Sequence, residues 1–337
     1  MIVEAVSLFL LDLLAIFAIY LILNLGLNIE YGFTGIPNFG TVFWVAAGAF
    51  TVGALSTNLA AWMLGINISG LNIITDNIII VTKVNEYIAA QPLYGIILLI
   101  IMLIMAASVG AVLGIILSLP TVRLKADYLA ITFLAFGEIL NVIGTAYEPL
   151  VGGPPGVNVP DVWAWAGGWR FVASTLTIAI IAIIIFIYSE YLIKTPFGRV
   201  LRSIRDNEVA AAALGKDIAR YKLTAMIIGS IMISVAGALF VLYSGSVTPT
   251  FFRFYWTFLP WLMILLGGVG NSLGVAAGTA MFYTVYKLII YYKYVLMGFM
   301  PFDVVWLNYI LLGIVVVLVL IFRPQGLIPE KPKRYKT

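Results

Sequence analysis

The sequence predicts an all-α integral membrane protein, a polytopic helical bundle of about nine transmembrane helices with a broken, glycine-rich second span. Three observations predict it. Of the 337 residues, 63% are hydrophobic and only 10% charged, and the mean hydropathy is +1.09. A soluble domain carries about 25% charged residues, so this chain lacks the polar surface needed to coat a body in water. The apolar residues also fall into blocks of about 20, the length a helix needs to cross a bilayer at 1.5 Å per residue. The third observation is the placement of the basic residues between those blocks.

In chain order the blocks lie at roughly 6–27, 38–64, 93–119, 127–147, 171–193, 223–243, 257–270, 273–292 and 303–322. The first follows Met1 with Glu4 and Asp12 but no Lys or Arg, so it lacks the basic start of a cleaved signal peptide and reads as a retained span. The region 24–53 ahead of and within the second block holds Asn24, Asn28, Gly32, Thr34, Gly35, Pro37, Asn38, Gly40, Gly48 and Gly53. A proline removes a backbone donor and ends or kinks a helix. Residues 28–40 therefore read as an irregular connection into a broken span. Helix breaks and polar side chains are what a route for a polar solute requires, which makes Asn24, Asn28, Thr34 and Asn38 candidate pathway residues. The other reading of the glycines is close helix packing.

The fourth block carries Glu138 near its middle. A carboxylate there costs roughly 2.5–3.5 kcal/mol to insert, so it is expected to face the interior, either lining the route or bonding to a neighbouring helix through Asn141 or a tyrosine. The connection 148–170 contains "GGPPG" and Trp163, Trp165 and Trp169, which suit the membrane–water boundary. "GGVGNSLG", 267–274, reads as a tight turn between the seventh and eighth blocks.

With the N-terminus outside, fourteen of the nineteen Lys and Arg fall on the inner connections and the tail. That excess orients the chain N-outside and C-inside in the cytoplasmic membrane. The organisation expected is one transmembrane domain over 1–330, with a cytoplasmic segment at 194–222 and a basic tail at 331–337.

That cytoplasmic segment holds the most polar stretch of the chain, "RSIRDNEVAAAALGKDIARYK", 202–222. Asp206 or Asn207 can cap a helix there, Glu208 suits its first turn, Ala210 to Ala213 favour it, and Gly215 can end it. About eight residues give a rod of roughly 12 Å, too short to cross a membrane. It reads either as a solvated loop or as a docking helix with a small-residue face.

Chemistry is sparse. The chain has no Cys and no His, which excludes disulfides and thiol catalysis and removes the commonest general base and metal ligand. "LGKD" lacks the leading glycine and following hydroxyl of a phosphate loop, so ATP chemistry must come from another polypeptide. No catalytic, cofactor or metal residue is assigned. Asp12, Glu138 and Glu190 lie in or near spans with no basic partner evident deep in the membrane.

Several stretches, in order over roughly 20–330, carry a resemblance: "LGLNIEYGFTGIPNFGTVFWVAAGAFTVGAL", "LPTVRLKADYLAITFLAFGEIL", "GGPPGV", "RSIRDNEVAAAALGKDIARYKLTAMIIGSIMISVAGAL", "LLGGVGNSLGVAAGTA" and "LIFRPQGLIPE". Together they resemble the permeases of ABC importers for branched-chain amino acids, in particular the LivM-type half. The resemblance implies a transporter subunit, not an enzyme, working with a second homologous permease, two ABC ATPase subunits and an extracytoplasmic binding protein, in contact with membrane lipid and not nucleic acid. It implies that the short helix, about 206–215, couples to the ATPase, through Arg205, Asp206, Glu208, Ala211 and Gly215. Ala212 stands where family members often carry Glu. The substrate implied is leucine, isoleucine, valine or another small solute. An ion-gradient-driven carrier or channel is the alternative, distinguished by what drives uptake.

Overall fold

The computed structural model describes residues 2–67, 70–292, 310, 313–314, 317–318, 321–322 and 325–330. Helix α1 (Ile2–Leu27) runs into a π-helical turn (Asn28–Phe33), and α2 (Thr41–Met63) follows. Helix α3 (Asn77–Ala90) precedes the long α4 (Pro92–Arg123) and α5 (Ala126–Ala146). After the short α6 (Glu148–Val151) come α7 (Arg170–Lys194), α8 (Pro196–Asp206), α9 (Glu208–Ala213), α10 (Ile218–Ser244), α11 (Tyr255–Gly267) and α12 (Ser272–Tyr291). Among the described residues eight helices are long and apolar enough to cross a membrane, and they match the first eight predicted blocks. The ninth block, 303–322, and the tail 331–337 lie outside the described residues, apart from a few positions of the former.

The predicted break within the second span is not there. Helix α2 is continuous from Thr41 to Met63, and the irregular backbone lies ahead of it, at 28–40. The glycines inside α2 serve packing instead. A side chain on Gly48 would collide with the Ser234 carbonyl of α10, and one on Gly237 with the Val45 carbonyl of α2. Lipid tails are as apolar as leucine, so membrane helices gain from close backbone approach, and small residues permit it. Ser234 adds a bond from its hydroxyl to the Trp44 carbonyl at 3.0 Å.

Helices α2 and α10 form the centre and are mostly buried, whereas α4, α5 and α7 lie at the periphery and are mostly exposed. Their sequences explain this. "VAAGAF" and "SVAGAL" are small-residue runs suited to tight crossing, whereas α4 and α7 are nearly unbroken Ile and Leu, suited to lipid.

At one end of the bundle, segment 148–170 is pinned down. Strand β1 (Val157–Asn158) pairs antiparallel with β2 (Ser246–Val247), with Val157 opposite Val247. Asn77 and Asn85 of α3 accept from the Asn158 and Asp161 amides at 2.7 and 2.8 Å. The three indoles divide: Trp169 is 74% exposed and Trp165 borderline, but Trp163 is buried. Its Nε1 donates to the Thr177 hydroxyl of α7 at 3.4 Å.

The polar stretch falls in two helices, α8 and α9, and the rod expected at about 206–215 corresponds to α9. Asp206 ends α8, Asn207 is extended (φ −159°), and its side chain accepts from the Ala210 amide at 3.0 Å to cap α9. Gly215 closes α9 in the left-handed region at φ +74°. Asp217 then caps α10, accepting from the Arg220 amide at 3.1 Å.

Candidate functional site

The site begins with what residues 28–40 do to the backbone. A π-turn widens the helix and leaves its carbonyls irregularly spaced. The amide of Ile36 reaches back to the Glu30 carbonyl, and that of Gly35 to the Tyr31 carbonyl, both at 2.9 Å. This folds 34–40 against the end of α1 and turns a cluster of polar side chains inward.

Glu30 is the centre of that cluster and is fully buried. Asn38 donates to its Oε2 at 2.5 Å, and Gly229 of α10 leaves room for the carboxyl, since a Cβ there would strike it. Oε1 is buried with no partner among the described residues. Asn38 also accepts from the Gly40 amide at 2.8 Å, and its carbonyl accepts from the Trp261 indole at 2.9 Å. Asn28 accepts from the Gly270 amide at 2.9 Å, which ties the π-turn to the "GGVGNSLG" turn. That turn holds Gly268 and Gly270 at φ +122° and +78°.

Helix α8 closes the cluster from the α9 end. Arg205 Nη1 donates to the Gly32 carbonyl at 2.5 Å, and its Nη2 pairs with Glu330 at 2.8 Å. Arg202 pairs with the same carboxylate at 2.9 Å and lies over the Phe33 ring at 5.2 Å. Residues 325–330 are themselves fixed by the Leu327 and Ile328 amides, which donate to the carbonyls of Leu266 and Gly267 at 2.9 Å. One arginine thus bonds both the π-turn after α1 and the segment 325–330.

Helix α9 projects beyond this hub. Val209 and Leu214 are 80% and 78% exposed. Ala211 is turned the other way and buried. Glu208 is exposed and bonded to Lys222 at 2.7 Å, which braces α9 against the start of α10. An exposed Val and an exposed Leu thus stand on a short capped rod outside the long apolar helices.

The sequence-predicted residues divide by location. Asn28, Thr34 and Asn38 meet around the π-turn, with Thr34 donating to the Ile29 carbonyl at 2.8 Å. Asn24 lies one turn earlier and donates to the Thr279 hydroxyl at 2.8 Å and the Met263 sulfur at 3.2 Å. All four are buried and bonded within the chain. Glu138 does not join them and does not face the interior. It is exposed on the outer face of α5, while Asn141, one turn on, is buried and donates to the carbonyls of Pro249 and Phe252 at 2.8 and 2.9 Å. Arg205 and Asp206 lie at the end of α8, Glu208 and Ala211 on α9, and Gly215 just beyond it.

Sequence reasoning missed Glu30, Glu330, Val209 and Leu214. For Glu30 a signal existed: it stands between Asn28 and Asn38 in an otherwise apolar run. It also missed a basic partner within the spans, because Lys287 of α12 forms an ion pair with Asp12 of α1. Glu190 has a partner too, Lys194 at 3.1 Å.

The comparisons with known proteins agree with this architecture. A family model for the branched-chain amino acid transport system permease component matches residues 9–320. The chain belongs to this family. It is 41% identical over 321 residues to a "Probable branched-chain amino acid transport permease protein LivM" of Methanocaldococcus jannaschii, covering 94% of this chain and 92% of the relative. It is 28% identical over 343 residues to the "High-affinity branched-chain amino acid transport system permease protein LivM" of Escherichia coli, covering 94% of this chain and 69% of that protein. No solved structure matches the chain. Family membership and eight membrane-competent helices make it a multi-pass membrane permease subunit of a transporter, and not an enzyme.

Proposed function

We propose that this permease is the LivM-type half of an ABC importer for branched-chain or similar hydrophobic amino acids, driven by ATPase subunits that dock on α9. The observation that carries the reading is the path from α9 to the interior. Val209 and Leu214 stand exposed near its two ends, and just before it Arg205 of α8 bonds both the Gly32 carbonyl and Glu330. A push on α9 is transmitted along α8 to the buried π-turn. Arg205 in this reading transmits motion and does not touch the ATPase, and Ala211 anchors the rod from its inner side.

The other partners follow from the same reading. Glu138 exposed on a lipid-facing helix is costly on its own, and a second homologous permease packed on α5 would remove it from lipid. An extracytoplasmic binding protein delivers the amino acid at the opposite end, where 148–170 lies. The chain is oriented N-outside and C-inside in the cytoplasmic membrane.

Uptake of radiolabelled leucine into vesicles holding the full transporter tests the mechanism. Uptake should require internal ATP and persist when ion gradients are collapsed, and Val209→Asp should lower it at least about tenfold by placing an unpaired charge in an apolar contact. Uptake driven by a proton or sodium gradient without ATP would instead make the chain a secondary carrier.

Because the sequence contains no cysteine, single-cysteine reporters are unambiguous. Val209→Cys should react with a membrane-impermeant maleimide only in inside-out vesicles, and Trp169→Cys only in right-side-out ones. The reverse pattern would overturn the orientation.

A further inference from the structure

At the end of the bundle away from α9, a cavity of about 650 Å³ opens between α1, α7, α10, α11 and α12. Small-molecule sites span about 300–1,000 Å³, so its size suits one small solute. Its composition is unusual for this chain. Asp12, Arg170 and Lys287, contributed by three different helices, all line it. Lys287 pairs with Asp12, and Tyr243 donates its hydroxyl to the other Asp12 oxygen at 3.0 Å. Arg170 pairs with Asp161 and reaches the Tyr243 carbonyl at 3.4 Å. The remaining wall is aromatic: Tyr20 stacks on Trp256 at 5.1 Å between centroids and lies 5.6 Å from Tyr283.

We propose that this cavity binds a free hydrophobic α-amino acid as its zwitterion, with the ammonium on Asp12, the carboxylate on Lys287 beside Arg170, and the side chain on the aromatic wall. The proposal rests on the substrate class proposed above and places a site for it on this chain. The argument is one of charge balance. A ligand with a single charge would have to split the Asp12–Lys287 pair and leave one member uncompensated, which is strongly unfavourable in a partly buried site. A zwitterion replaces each member with a new partner, so both charges stay neutralised. Lys287 can withdraw because its ammonium rides on a flexible four-carbon stem, whereas the Arg170 guanidinium is a planar, fixed fork. The rings of Tyr20, Trp256 and Tyr283 supply large, rigid apolar area for an aliphatic side chain, and Tyr243 holds Asp12 in place.

Full-length chain in lipid nanodiscs, without partner proteins, tests this by direct binding of three probes: L-leucine, leucinamide (cation only) and 4-methylpentanoate (anion only). Leucine should bind at least about tenfold more tightly than either analogue. Asp12→Asn and Lys287→Gln should each weaken leucine binding by a similar factor, and Lys287→Gln should in addition abolish the preference for leucine over leucinamide. Lys287→Arg, which keeps the charge, should retain most of the binding. A merely structural ion pair would not change the ranking of the probes. Equal binding of all three probes, or unchanged leucine binding in both neutral variants, would overturn the site. So would normal leucine binding with uptake lost in those variants, which would assign the cavity to the docking of a protein partner. The substrate reading fails separately: if the unaltered full transporter takes up no leucine, isoleucine or valine, that reading is wrong whatever the cavity variants do.

Discussion

Replacing Gly237 with leucine should abolish the folded permease. The α2–α10 crossing is the centre of the bundle, and at Gly237 the obstacle to a side chain is the Val45 carbonyl, a backbone atom that cannot swing aside. Overpacking a tight core costs about 1–3 kcal/mol where side chains can give way, and more where only backbone can move. The same approach occurs at Gly48 against Ser234, so the two positions report on one contact. Fluorescence-detected size-exclusion of a tagged protein should show loss of the monodisperse peak for Gly237→Leu, with Gly237→Ala intermediate. Gly168→Ala is the control, since nothing lies within 4 Å of a Cβ there, and it should behave as the parent. A monodisperse, thermally unaltered Gly237→Leu protein would mean that α2 and α10 do not cross as described.

The second large effect is expected at Arg205. Its side chain bonds Gly32, pairs with Glu330 and also reaches Asp206 at 3.1 Å, so it joins three separate stretches of chain. Arg205→Ala should leave the protein in the membrane at normal levels, because the hub faces the aqueous end and is partly open. It should nevertheless lower transport by about 5–150-fold, the range of an ordinary coupling free energy of about 1–3 kcal/mol. Glu330→Ala should have a similar but smaller effect, since it frees Arg205 and Arg202 without removing the bond to Gly32. The two should be non-additive: the double variant should transport about as well as Arg205→Ala alone, as expected for groups in one network. Additive losses would show that Glu330 and Arg205 act independently. Transport unaffected by Arg205→Ala would remove the π-turn from the transmission path.

Both predictions concern contacts between residues far apart in the chain, and the same division separates what was legible in the sequence. The eight crossing helices were legible because each is specified locally. A run of about 20 apolar residues can only be a span, and its ends are marked by charge, proline or glycine. The cap at Asn207 and the stop at Gly215 were legible for the same reason: side chain and backbone of neighbouring residues suffice. What stayed hidden was α8: Asn207 takes an extended backbone to cap α9 and so separates it from a second helix that ends at Asp206.

The expected break in the second span did fail. Gly48 and Gly53 were visible, but a glycine within a helix pattern is equally suited to a bend and to a close crossing. Only the position of α10 beside α2 selects the crossing for Gly48. The face of Glu138 was undetermined for a related reason. A mid-span carboxylate is expected inward, yet on α5 it is Gly137, Asn141 and Gly144 that face the bundle, and Glu138 is left outside. Glu30 shows the converse, a carboxylate in plain sight whose role depends on a π-turn and on an opening at Gly229 from another helix.

The sequence by itself therefore determined the number and order of the first eight membrane-competent helices, the short capped rod between the fifth and sixth, and the family, since these depend on composition and neighbouring residues. Only the tertiary structure decided that Glu30 is enclosed by Asn38 and α10, that Arg205 reaches Gly32 and Glu330, and that Asp12 meets Lys287. Those pairings depend on how helices distant in the chain are placed against one another, and a charge or a glycine carries no local mark of the partner it will meet.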